Sequence, residues 1–234
     1  MKMKKTVLRN QTKQEFMKPT WVVALFTAFY LMVSLIVAIM TGCNEFILYL
    51  ALTPFLMAGM VFTHIKIKLP LSLMWALSFL ILFHCFGGLT WVPESWPTEG
   101  KNLLYNLWLI PNKLKYDQVI HAYGNALATW LCWNLLRYSI AMSVKIDIKD
   151  IPARPIFLLI CFLAGVGVGA LNETLEFGAT QTVPGDTNVG GYVNTGWDMV
   201  ANILGGGVTV FCIWLNRRNG RLPSHPKKAR RSHA

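Results

Sequence analysis

Apolar residues in this chain come in blocks of roughly twenty, repeated along nearly its whole length, and that repetition decides the fold class. About twenty such residues, wound as a helix, cross the ~30 Å hydrocarbon core of a bilayer. Lipid offers no partner to a free backbone N–H or C=O, so blocks of this kind cross as helices. They fall at about 21–40, 46–63, 69–87, 116–142, 155–179 and 197–215. The sequence therefore predicts an all-α polytopic bundle of about six transmembrane helices over residues 21–215. Basic tails are expected at 1–20 and 216–234. No soluble domain is expected, because 54% of residues are hydrophobic and only 14% are charged, where a soluble domain carries about a quarter.

The formal net charge of +11 raises the question of nucleic acid, and its distribution argues against it. One set of Lys and Arg crowds the two tails and the connections after the second and fourth blocks. It includes Lys66, Lys68, Lys145, Lys149 and Arg154. The other side carries only Lys101, Lys113 and Lys115. The crowded side is read as cytoplasmic, which gives a multi-pass protein of a bacterial inner membrane with both termini inside. The cluster Lys227–Arg231 is then a topology determinant resting on anionic lipid. The five cysteines are scattered without a CxxC pair, and the four inside apolar blocks are expected to pack as small hydrophobes. Thr41-Gly42-Cys43 faintly resembles a lipoprotein cleavage box, but the preceding block spans fully and reads as a retained anchor.

The ionisable residues converge on the side opposite the basic one. His84 lies near the end of the third block, Asp117 and His121 open the fourth, Glu173 and Glu176 close the fifth, and Asp198 opens the sixth. Asp117 and His121 are four apart and share a helix face. Gly165, Gly169, Glu173 and Glu176 form one stripe; Asn194, Asp198, Asn202 and Gly205 form another. Small residues allow close helix approach, so three such faces would enclose one polar pocket near the outer leaflet. Carboxylates gathered in lipid are costly. Protonation or a bound cation would relieve them. Imidazole beside carboxylate suits zinc, iron or manganese better than calcium or magnesium. His84, Asp117, His121, Glu173, Glu176 and Asp198 are thus candidate metal ligands, and all but His84 are also candidate acid/base groups.

Two connections flank this pocket. The segment of about 88–115 holds Trp91, Trp96, Tyr105 and Trp108, and 102–110 is expected as a short helix lying on the membrane. The segment Gln181–Thr195 is turn-rich and is expected to roof the pocket. The sequence contains no P-loop, no GxSxG elbow and no HExxH.

Three runs carry a family resemblance: Tyr116-Asp117-Gln118-Val119-Ile120-His121, Asn172-Glu173-Thr174-Leu175-Glu176, and Gly190-Gly191-Tyr192-Val193-Asn194-Thr195-Gly196-Trp197-Asp198-Met199. They resemble the YjdF-like family of bacterial inner-membrane proteins, over roughly Phe83–Gly207. A second similarity is to VanZ-like proteins, through Asp117 and His121, Glu173, Pro184-Gly185, and Asp198, Asn202 and Gly205. Here Glu176 stands where that family has Gln, and no Arg follows the Pro-Gly. These resemblances imply a fold and site positions, not a reaction. The residues themselves predict a metal-dependent enzyme, hydrolytic on a lipid or lipid-linked envelope substrate. A transporter or proton-coupled carrier and a purely structural polar network stand as the alternatives.

Overall fold

The computed structural model describes residues 2–182 and 191–218, with side chains for 20–182 and 191–216. The described residues form six α-helices: α1 Lys2–Thr41, α2 Asn44–Ile67, α3 Leu71–Leu89, α4 Tyr116–Val144, α5 Pro155–Thr182 and α6 Tyr192–Arg218. The all-helical expectation holds, with boundaries moved by a few residues. Residues 183–190, which include Pro184-Gly185, and 219–234 lie outside the described residues.

Five of the helices are long and apolar enough to cross a membrane, with α1 contributing Thr20–Thr41. α4 is long enough but falls short in hydropathy. It carries Asp117, His121, Asn125, Asn134 and Arg137 along its length. The reason lies in its position. α4 packs against α3, α5 and α6, so little of its surface needs to match lipid and polar side chains find protein partners instead.

Close approach at the centre depends on glycine. A Cβ at Gly205 of α6 would strike the Ala122 backbone of α4, one at Gly165 of α5 would strike Thr129 of α4, and one at Gly169 would strike Asn202 of α6. The small-residue stripes thus bring α4, α5 and α6 into contact along the faces that bear the acids. Gly205→Leu should drive α6 off α4. Overpacking of this kind costs about 1–3 kcal/mol or more. Reduced yield of monodisperse protein and a lower melting temperature in detergent would check it; wild-type behaviour would remove the close-contact argument.

α1 joins α3 through polar glue rather than glycine. Thr27 and Ser78 hydroxyls lie 2.7 Å apart, and Tyr30 Oη donates to the Ser78 carbonyl at 2.7 Å. α2 packs on α1 and α3 and leaves a space between itself and α5.

The connection between α3 and α4 corrects one expectation. Residues 102–110 do not form an interfacial helix. They run extended around a single 3-10 turn at Leu104–Asn106 into a hairpin of β1 Trp108–Ile110 and β2 Leu114–Lys115. Further bridges join Trp91 to Leu103 and Thr98 to Leu107. Leu103, Tyr105 and Leu107 are buried. That period of two is the strand pattern, and a helix would have turned Tyr105 away from the bundle.

Candidate metal centre

The chain fold brings α4, α5 and α6 side by side with their polar turns level. His121 lies five residues into α4, Glu176 six from the end of α5 and Asp198 six into α6. At 1.5 Å per residue each sits about 8–9 Å in from its helix end. Gly205 of α6 meets Ala122, the residue after His121, two turns deeper than Asp198, so the close approach of α4 and α6 continues below the cluster.

His121 is the hub, with a side chain 8% exposed. Its Nε2 lies 3.4 Å from Asp117 Oδ1 and 3.7 Å from Glu176 Oε1. Its Nδ1 lies 3.1 Å from Glu173 Oε1, at an angle outside hydrogen bonding. Donor atoms of Asp117, His121 and Asp198 lie within 4.8 Å of one another, as do those of His121, Glu173 and Glu176. Several oxygens in this group are buried without a hydrogen-bond partner among the described residues: both of Glu173 and Oδ1 of Asp198. Buried acceptors left unpaired are costly. Oxygen and imidazole donors converging in that state fit a divalent cation, with zinc, iron or manganese the best match to the donor set.

Asn194 organises the α6 side. Its Nδ2 donates to Asp198 Oδ2 at 2.6 Å and to Asp117 Oδ2 at 3.1 Å, so one amide holds a carboxylate from each of two helices. Lys115 fixes that amide in turn, donating from Nζ to Asn194 Oδ1 at 2.8 Å and pairing with Glu99 at 2.9 Å. On α5, Asn172 Nδ2 donates to Glu176 Oε1 at 2.7 Å. Deeper in the bundle, Asn125 Nδ2 donates to the Asn202 carbonyl, and Thr129 is fully buried against Gly165.

Asp117, His121, Glu173, Glu176 and Asp198 are therefore adjacent. His84 stands to one side. Its Nδ1 is hydrogen-bonded to the Tyr105 hydroxyl, and Phe46 and Tyr49 flank its ring. Burial holds that hydroxyl well above the ordinary tyrosine range, so Tyr105 stays a phenol able to donate to His84. Both His84 and His121 face one cavity of about 510 Å³, which Glu176 also lines. Cys85 is buried in the apolar cluster with Phe46 and Tyr105.

Sequence reading missed Lys115 as part of the site. It counts there as one of three basic residues on the acid-bearing side, yet it is 7% exposed. Its position two residues before Asp117 was the signal to be read. Asn125 and Thr129 were missed too, although they follow His121 at i+4 and i+8 on the same face.

These features define a multi-helix membrane protein with a buried histidine–carboxylate cluster toward one end of the bundle. The chain belongs to the family described as Predicted membrane protein (DUF2238), whose family model matches residues 19–219. The match takes in α2 to α6 and the part of α1 from residue 19 on, including stretches where the sequence showed only hydropathy. No curated protein matches the chain, and no solved structure does.

Proposed function

We propose that this protein is a metal-dependent hydrolase of the bacterial inner membrane, acting near the outer leaflet on a lipid or lipid-linked substrate. The observation that carries the reading is the convergence of His121 with four carboxylates from three helices, two of them bearing unpaired buried oxygens. Asp117, His121 Nε2 and Asp198 would hold the ion. Glu173, 3.1 Å from Nδ1 but not aligned for a hydrogen bond, would rotate to hold the ring once an ion is bound, since a ligating imidazole is held by a carboxylate on its other nitrogen. A metal bound there lowers the pKa of a water toward 7.

Glu176 is the member that both touches His121 and lines the cavity. It would take a proton from the attacking water as that water's oxygen bonds to the ester carbon or phosphorus. The bond to the leaving alcohol then breaks, and the proton passes to that alcohol. Water is the only co-reactant.

Depth supports a lipid. α5 has 28 residues, so it is about 42 Å long, close to the ~40–45 Å of a bilayer with its headgroups. A site about 9 Å in from the helix end then lies at the boundary between headgroups and acyl chains, where lipid ester and phosphoester bonds are found. The orientation rests on charge. Lys66 in the last turn of α2, and Lys68, Lys145, Lys149 and Arg154 after α2 and α4, lie at the opposite end, which the positive-inside rule assigns to the cytoplasm. An even number of crossings then puts both termini there.

Glu173→Gln should weaken metal binding about ten- to a hundredfold by loosening the imidazole. Isothermal titration of the metal-free protein with zinc or manganese would read this. Unchanged affinity would remove Glu173 from the centre.

A further inference from the structure

The cavity that reaches His121 has two unlike walls. Toward α4 and α6 it is polar, with His121, Asn125, Asn202 and, from α5, Glu176. Asn125 Oδ1 and Asn202 Nδ2 have no hydrogen-bond partner among the described residues, although both residues are about 97–98% buried (3% and 2% exposed). Both atoms pack against α5, at Gly165 and Gly169; of the two, only Asn202 Nδ2 is a donor that an oxygen of a ligand can pair with. Toward α2 the wall is aliphatic: Leu48, Leu52 and Leu56 follow at every fourth residue, with Val168 and Leu175 of α5 opposite. Leu48 to Leu56 covers about 12 Å along the helix axis.

The aliphatic side is open. Leu52 is 41% exposed, Leu56 72%, Val168 48% and Leu175 60%. Gly178 of α5 also lines the cleft, with open space where a Cβ would stand. α2 is held by α1 and α3 and stands apart from α5 across this gap. Between two membrane-spanning helices, such an opening faces acyl chains. An apolar ligand part would exchange one hydrocarbon surrounding for another, so affinity must come from the polar end.

We infer that the α2–α5 cleft binds one acyl chain of a phospholipid-like amphiphile, which slides in sideways from the bilayer and delivers its headgroup linkage to the His121–Glu176 end. The chain lies along Leu48, Leu52 and Leu56, and ester or phosphate oxygens meet His121 and the Asn202 amide Nδ2. The inference deepens the hydrolase reading and rests on it for the fate of the headgroup; chain binding itself can be read without metal.

The test uses the full-length protein in nanodiscs of phosphatidylethanolamine and phosphatidylglycerol. A trace of phosphatidylglycerol carries a diazirine in one acyl chain. After irradiation, labelled peptides are compared between the cleft (48–56 and 168–175) and the lipid-exposed stretch 32–40 of α1. The cleft should take at least fivefold more label. Leu52→Trp with Val168→Trp should bring it down to the α1 level while metal content is unchanged. Equal labelling of α1 and cleft in the wild type, or full labelling in the tryptophan variant, overturns the proposal. A labelled cleft in a protein that holds no metal sinks the hydrolase reading and leaves the lipid site standing.

Discussion

Stripping divalent metal from the purified protein should lower its melting temperature by roughly ten degrees, and zinc or manganese should restore it. The size follows from linkage. A ligand that binds only the folded state at a thousand times its Kd stabilises by about 4 kcal/mol, and each kcal/mol moves the midpoint of a chain this size by about 2–4 °C. The sign follows from charge. Asp117, Glu173, Glu176 and Asp198 crowd one histidine in largely buried surroundings. Two unit charges 4 Å apart repel by about 4 kcal/mol at an effective dielectric of 20. A dication reverses that term, so its removal loosens the contact of α4 with α5 and α6. Asp117→Asn with Asp198→Asn should abolish the response to chelator, because two of the proposed ligands are gone and so is part of the repulsion. Differential scanning fluorimetry with and without chelator checks both. A melting curve that ignores chelator in the wild type counts against a resident ion.

The second large effect concerns catalysis. Glu176→Gln should cut turnover about a hundred- to ten-thousandfold, the usual contribution of a positioned general base, while leaving metal content near the wild-type level. Glutamine keeps the shape and still accepts from Asn172, whose amide holds Oε1 at 2.7 Å, but it takes no proton. Lipid profiling of a deletion strain supplies the readout, because an uncleaved substrate reveals itself by building up. A species that accumulates in the deletion should fall when the wild-type chain is returned and persist with Glu176→Gln. Full correction by the glutamine variant would show that the carboxylate takes no proton in the reaction.

Much of the fold was legible because bilayer thickness writes itself into block length. What block length could not show was the rank of the helices. α4 reads as one span among six, yet its polar residues are the mark of a helix surrounded by others. The convergence of Asp117, His121, Glu173, Glu176 and Asp198 was legible from spacing and from the glycine stripes, because small residues four apart allow close approach on that face. The set's outer members were harder to read. Lys115 looked like a surface charge, and only the hairpin tucks it under Asn194. His84 sits at the right depth, but whether it belonged to the cluster depended on Tyr105, which reaches it from a loop whose two-residue period was hidden among aromatic residues.

Elemental analysis of the wild-type protein, purified at neutral pH without chelator, bears on the central claim most directly. One or two equivalents of zinc, iron or manganese per chain are expected, falling below a tenth in His121→Ala and in Asp198→Ala prepared alongside. Wild-type protein that is folded and metal-free, and stays so after dialysis against these ions, would contradict the claim.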